Sequence, residues 1–170
     1  MSEPQDHVDE ILAQWRRERP DLNVAPLGLY GRLFRIVRLS DDALAKGLAP
    51  YGLQPGWFDL LAALRRAGRP FELNPTQLRR ATLLSSSGMT KRLDRMEAAK
   101  LIERRPDPHD RRGTLVRLTR RGKSVIDKAV ETHLGNEGRL LGALTAAERR
   151  TLDGLLKHLL IHLERAEPTS

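Results

Sequence analysis

The segment at residues 107–118, D-P-H-D-R-R-G-T-L-V-R-L, brings together residue types that suit contact with a polyanion. It begins as a charged turn with the adjacent pair Arg111 and Arg112, and it ends as an alternating, strand-like stretch. An arginine at the tip of such a hairpin can enter a narrow A·T minor groove, where the potential of DNA is most negative. Asp110 is predicted to pair with a neighbouring arginine, and Gly113 to let the chain turn back. The segment predicts a DNA-contacting hairpin; the alternative is a surface hairpin whose charges serve solubility.

The helix that precedes this hairpin is predicted to carry a polar face that suits the major groove. Projected at about 100° per residue, the segment 83–101 has an apolar face formed by Met89, Leu93 and Met96. Lys91 and Arg95 lie roughly opposite. Hydroxyl and cationic side chains contact phosphates and base edges, and a serine-rich helix start offers backbone N–H groups to a phosphate. The predicted DNA contacts of this helix are Ser86, Ser87, Thr90, Lys91 and Arg95. The alternative is an ordinary solvated helix face.

The positive charge of the chain is concentrated around these two elements. The whole chain of 170 residues has a net charge of +8, but residues 65–125 hold 17 Lys and Arg against 6 Asp and Glu. The rest of the chain has 13 basic and 16 acidic residues, so it is slightly acidic. A local basic segment of this kind is typical of a protein that binds a polyanion. The alternative is an arginine-rich composition without a partner.

Helical periodicity, caps and turn residues predict the elements that position these side chains. In chain order they are a helix at 6–18, a long helix at 26–50, a helix beginning at Pro55, a short helix capped by Asn74, the serine-led helix, strands at 102–105 and 114–118, a helix after Thr119, and a last helix with a capping box at 145–148. A short helix, a second helix and a hairpin in succession predict a mainly α fold with a small β wing, a winged helix-turn-helix. The predicted domains are 1–52 (N-terminal helices), 53–120 (DNA-binding) and 121–170 (C-terminal helices).

Composition excludes several other classes of protein. The chain has no cysteine, which excludes disulfides, thiol redox sensing and thiolate zinc sites and suits the cytoplasm. No apolar run approaches the roughly 20 residues that cross a bilayer, and the acidic N-terminus lacks the apolar stretch of a signal peptide. We therefore expect a cytoplasmic protein without a membrane partner and without a cofactor.

The residues from Leu84 to Gly122, with Asp110, Arg112, Leu118 and Thr119 in the D-x-R-(x)-L-T wing pattern, resemble the MarR family of bacterial transcription regulators. The resemblance covers about residues 27–165. It implies a homodimer formed by the N- and C-terminal helices, with recognition helices about 34 Å apart on a pseudo-palindromic site. It also implies that Arg112 inserts into the minor groove and that residues 86–95 contact the major groove. Repression is the commoner outcome in this family.

Four further residues resemble the ligand site of the urate-responsive branch of that family, and they are Trp15, Asp59, Arg92 and Arg104. A planar urate anion can stack on an indole and accept charge-assisted hydrogen bonds from guanidinium groups, whereas an aspartate is repelled by it. The resemblance implies a regulator that urate or a related purine releases from DNA. Other interpretations remain: Trp15 as core, Asp59 with Arg92 as a structural ion pair, Arg104 or Arg105 as a phosphate contact, or a phenolic acid as the ligand.

Two rival functions remain at this point. One is a DNA-binding architectural protein that responds to no ligand. The other is a metal enzyme, because His158 and His162 are spaced i, i+4 on the last predicted helix and this spacing suits zinc. No H-E-x-x-H motif or nucleophile–base arrangement accompanies them, so the sequence predicts a protein that is not an enzyme.

Overall fold

The computed structural model describes residues 4–54, 56–82, 88–108 and 110–166, without the side chains of Arg111 and Arg112. The helices are α1 (His7–Glu18), α2 (Ala25–Leu48), α3 (Trp57–Arg66), α4 (Pro75–Arg80), α5 (Met89–Ala98), α6 (Arg120–Leu140) and α7 (Ala146–Ala166). The strands β1 (Glu72–Leu73), β2 (Ile102–Asp107) and β3 (Asp110–Leu118) form an antiparallel sheet in the order β1-β3-β2. The predicted class, mainly α with a small β wing, is confirmed. Over the described ranges, no helix combines the length and the apolar character that a bilayer span requires.

The chain divides into two compact units, residues 1–46 and 47–170. In the first unit α1 packs on α2 through Val8 and Leu12, which are 4% and 5% exposed. These side chains lie against Gly31 and Gly28, where a Cβ atom would come within 3.1 and 3.2 Å of them. The two small residues on α2 therefore let the helices approach closely, and the helix predicted at 6–18 is present.

An ion-pair cluster fixes the start of α1 within the same unit. Asp6 caps the helix by accepting hydrogen bonds from the backbone N–H groups of Val8 and Asp9. The guanidinium of Arg32 on α2 lies 2.7 Å from Asp6 and 2.5 Å from Asp9. The hydrogen bond from Arg32 lowers the pKa of Asp6, so both cap and ion pair favour the ionised carboxylate.

The core of the second unit is built around α3. Leu60, Leu61 and Leu64 of this helix have no exposed surface. Every other element of the winged helix contributes apolar side chains to the same core, namely Leu78, Leu93, Met96, Ile102, Val116, Ile126 and Ala129. Because one cluster joins α3, α4, α5, α6 and the sheet, the elements that are predicted to contact DNA share a common support.

The connection from the sheet to α6 is tightly packed. The hydroxyl of Thr119 accepts from the N–H of Gly122 at 2.9 Å and donates to the carbonyl of Lys100 at 2.7 Å. A Cβ atom on Gly122 would lie 1.9 Å from the carbonyl oxygen of Leu101. Glycine is therefore required where α6 passes the corner between α5 and β2.

The leucine stripe of α7 is not part of the core. None of the described residues of α7 is buried, and Leu155 and Leu160 are 64% and 55% exposed. The leucines of this helix therefore do not form intrachain core. On α2, Leu29 and Phe34 are likewise 71% and 72% exposed.

Candidate nucleic-acid interface

The helix α5, here called the recognition helix, has the two faces that its sequence predicts. Leu93 and Met96 are buried in the core, whereas Thr90, Lys91 and Arg95 are exposed. Ser86 and Ser87 lie outside the described residues. The exposed cations are free to face a phosphate backbone, and their contact with DNA stays a prediction.

The helix before it, α4, is fixed at both ends. Asn74 and Gln77 form a reciprocal capping box, which confirms the predicted N-cap. At the other end the guanidinium of Arg66 donates to the carbonyl of Ala81 at 2.8 Å. The last turn exposes Arg79 and Arg80, two cations that the sequence prediction of the site omitted although they fall in the basic segment.

The wing, β2 with β3, is longer and less regular than predicted. Its strands extend to Asp107 and from Asp110, so the chain reverses between these residues and not over 107–113. The register runs to Pro106 opposite Thr114 and then shifts to Asp107 opposite Asp110. Residues 111–113 of β3 therefore form an irregularity that has no counterpart on β2. This places the backbone of the arginine pair beside the tip, inside a strand.

Gly113 has a different role from the one predicted. It lies within β3, so the expectation that it lets the chain turn back is wrong. A Cβ atom at this position would lie 2.9 Å from Cβ of Asp107 and 3.0 Å from Cβ of Asp110. Glycine is needed because the two aspartates approach the backbone closely, and Gly113 thus still supports the wing. The predicted pairing of Asp110 with an arginine involves side chains outside the described part.

Arg104, near the start of β2, is held by the recognition helix. Its backbone N–H donates to Glu97 Oε1 at 2.9 Å, and its Nη1 donates to Glu97 Oε2 at 3.0 Å. The same Nη1 lies 2.7 Å from Asp94 Oδ1. Arg104, Asp94 and Glu97 together form the Arg104 cluster.

The other predicted ligand residues lie on three different helices. Trp15 on α1 is 43% exposed, so its interpretation as a core residue is wrong. Asp59 lies half-buried in the first turn of α3. Arg92 lies half-buried on α5 and its guanidinium folds back toward Gly88, where a Cβ atom would be 3.7 Å from Nη1. Their binding of a ligand stays a prediction.

A cavity of about 330 Å³ between α3 and α6 was not predicted from the sequence. Apolar side chains such as Phe58 and Val130 line it together with His133 and Glu137. The ring of His133 lies 4.1 Å from that of Phe58, and its Nε2 lies 3.2 Å from Glu137 Oε1. Its Nδ1 is buried without a hydrogen-bond partner in the described chain. The i, i+4 spacing of histidine and glutamate was the available sequence signal.

The described ranges contain no group of three or more His, Asp or Glu side chains placed to hold a metal ion. His158 and His162 are exposed on α7. The geometry therefore offers nothing in support of the zinc interpretation.

Comparison with known proteins agrees with this geometry. A family model described as the MarR family matches residues 51–113. The chain is 40% identical over 156 residues to the HTH-type transcriptional regulator PecS of Dickeya dadantii (strain 3937), covering 92% of this chain and 94% of that protein.

Two solved structures are also similar. One is a mutant MarR from E. coli complexed with operator DNA, with a TM-score of 0.70, 28% identity, and coverage of 92% of this chain and 99% of that one. The other is Bordetella bronchiseptica BpsR, whose DNA binding is regulated by 6-hydroxynicotinic acid. It has a TM-score of 0.69 and 25% identity, and the match covers 77% of this chain and 97% of that one. PecS is a transcriptional regulator, and the other two relatives bind DNA; these relatives are not enzymes.

Proposed function

The chain belongs to the MarR family of DNA-binding transcriptional regulators, and we propose that it is a homodimeric repressor released from a pseudo-palindromic operator by urate or a related purine. The observation that carries the proposal is the recognition helix with its exposed cations, followed directly by a wing that holds an arginine pair in an irregular strand segment. Because the partner is operator DNA, we assign the activity to the cytoplasm.

The proposed contacts divide between the two grooves. The major groove and its phosphates are contacted by Ser86, Ser87, Thr90, Lys91 and Arg95. Arg112, with Arg111 beside it, enters the minor groove, where a guanidinium is attracted most strongly over A·T pairs. Residues 53–120 are the DNA-binding domain in this proposal.

The proposed dimer uses residues 1–52 and 121–170. The exposed apolar side chains on α2 and α7 support it, because patches of this kind on a soluble chain mark an interface. A two-fold axis then sets the recognition helices about one turn of B-DNA apart, which requires an operator with matching symmetry.

The proposed ligand residues are Trp15, Asp59, Arg92 and Arg104. The exposed indole of Trp15 offers a stacking face, and the two arginines offer donors to an anion. The anion repels Asp59, which gives the ligand a way to move the helix that carries Arg92. Release requires the ligand to bind the DNA-incompetent state more tightly; a coupling of about 1–3 kcal/mol weakens DNA binding about 5–150-fold.

Fluorescence anisotropy with the protein's own upstream DNA, at fixed salt and with increasing urate, tests this proposal. We expect Arg92→Ala to keep operator binding within about threefold and to lose the urate response. Arg95→Ala is the matched control on the same helix, with weaker operator binding but an unchanged urate response. If Arg92→Ala dissociates at the same urate concentration as the wild type, the ligand assignment is wrong. If neither a purine nor a phenolic or other aromatic acid releases the wild type, the ligand-independent alternative replaces it.

A second candidate ligand is an aromatic acid bound in the cavity between α3 and α6. BpsR, a regulator of similar structure, is controlled by 6-hydroxynicotinic acid. The apolar walls of the cavity suit an aromatic ring, and Arg65 and Arg66 border it. Filling the cavity with Val130→Phe separates the two candidates. That variant loses the response to an aromatic acid only if the acid binds there, whereas Arg92→Ala leaves such a response intact.

A further inference from the structure

Arg104 of the wing is bound by two carboxylates of the recognition helix, Asp94 and Glu97. Glu97 receives both the backbone N–H and the guanidinium of Arg104, so it fixes the position of the strand as well as that of the side chain. The cluster is partly shielded, with Arg104 29% and Glu97 38% exposed. Charge-assisted hydrogen bonds are shorter and stronger than neutral ones, and shielding reduces their screening by salt.

Because this cluster lies near the base of the wing, a small rotation there displaces the tip of the wing. From Arg104 to Asp107 the strand rises about 10 Å at about 3.3 Å per residue. A rotation of about 15° at Arg104 thus displaces the tip by about 3 Å, which is half the roughly 6 Å width of the minor groove. An arginine beside the tip reaches its groove only if the base of the wing keeps its angle to the recognition helix.

The charge of the cluster makes a positioning role distinguishable from a purely electrostatic one. Asp94 is exposed on the same side of the recognition helix as Lys91 and Arg95. Asp94 and Glu97 outnumber the single cation of Arg104, so the cluster as a whole is negative. A negative charge beside a DNA-binding surface opposes binding, and on electrostatics alone its removal should tighten the complex.

We infer that Glu97 is a positioning residue for DNA binding, which acts through Arg104 to hold the wing at the angle that the minor groove requires. Asp94 is the second anchor of the same guanidinium. Loss of Glu97 should therefore weaken binding to the operator. Electrostatics alone predicts the opposite, since removal of a negative charge should tighten binding.

The test compares Glu97→Ala with Glu103→Ala, which removes the same charge from an exposed neighbour on β2. For each variant, affinity is measured for the operator and for an operator in which diaminopurine replaces adenine. Diaminopurine places an amino group in the minor groove, and the loss of affinity that it causes is the minor-groove penalty. We expect Glu97→Ala to bind about 5–30-fold more weakly and to lose most of that penalty. Glu103→Ala should bind equally or more tightly and keep the penalty.

Glu97→Gln protects the test against simple misfolding, because the amide oxygen still accepts a hydrogen bond from Arg104. It should unfold at the wild-type temperature and bind the operator with intermediate affinity. Two outcomes overturn the inference: unchanged or tighter operator binding by Glu97→Ala, or weaker binding that keeps the full minor-groove penalty. The second outcome identifies a role in folding or in the major groove.

A consequence for the ligand rests on the proposed function. An anion that binds Arg104 has to compete with Asp94 and Glu97, so Glu97→Gln should bind urate at least about threefold more tightly in the absence of DNA. Quenching of tryptophan fluorescence measures this. If the wild-type protein binds no urate, the proposed ligand is wrong, but the inference about Glu97 is not affected. The DNA experiment tests that inference independently of urate. Equal urate affinity of Glu97→Gln and the wild type contradicts the competition.

Discussion

The winged helix and the helix α7 are both rich in leucine, but they use it in opposite ways. In the winged helix, Leu60 and Leu64 have no exposed surface, because α4, α5, α6 and the sheet all pack on α3. In α7, Leu155 and Leu160 are more than half exposed. A single chain therefore buries the support of its winged helix, whereas the leucines of its last helix stay exposed. In our proposal a second copy covers them.

A large loss of stability is expected where α6 passes the winged helix. Gly122→Ala places a Cβ atom 1.9 Å from the carbonyl oxygen of Leu101, and backbone on both sides must shift. We expect a loss of about 3 kcal/mol in the free energy of unfolding, since overpacking against backbone is poorly relieved. Urea unfolding followed by circular dichroism measures it.

Gly138→Ala is the matched control on the same helix, because a Cβ atom there meets nothing within 4 Å. Removing a helical glycine should stabilise the protein by up to about 1 kcal/mol. If both variants lost a similar free energy of unfolding, close packing at Gly122 would not be the cause of the loss.

A change in α7 should affect assembly and leave the core intact. Leu155→Asp places a charge in the exposed stripe, and we expect the dimer to dissociate at least tenfold more readily in sedimentation equilibrium. Leu78→Ala, in contrast, opens the buried core and should cost about 2–5 kcal/mol at every protein concentration. If Leu155→Asp is as dimeric as the wild type, the stripe on α7 is not the interface.

The smallest effect concerns an ion pair between α3 and α6. Hydrogen bonds from Lys123 and Arg65 lower the pKa of Asp127, at distances of 2.5 and 2.7 Å. A carboxylate with a depressed pKa stabilises the fold above its unfolded pKa, and this contribution is lost as the pH falls through the folded value. Because the side chains are more than a third exposed, Asp127→Asn should cost less than about 1 kcal/mol at pH 7.

The pH dependence separates this ion pair from a packing effect. The difference between Asp127→Asn and the wild type should shrink as the pH is lowered below about 4, where the carboxylate becomes protonated. Urea midpoints at neutral and acid pH provide the comparison. A difference that does not change with pH would show that Asp127 contributes by packing.

The parts of this protein that could be predicted from sequence depend on neighbours along the chain. Helical periodicity located the buried face of α5 at Leu93 and Met96, because positions three and four apart share a face. Local hydrogen bonding confirmed the caps at Asn74 and at Thr145, whose hydroxyl accepts from the N–H of Glu148. The wing was predicted as a hairpin from its alternation and turn residues.

Tertiary structure alone decided the features that involve distant residues. The register shift next to Pro106, the close approach at Gly113 and the binding of Arg104 by Glu97 all depend on where separate segments meet. The cavity beside His133 requires two helices that are more than 50 positions apart in the chain, and the exposure of α7 depends on which surfaces the rest of the chain covers. Periodicity specifies which face of an element is apolar, but the partner of that face is set by packing, which no local pattern contains.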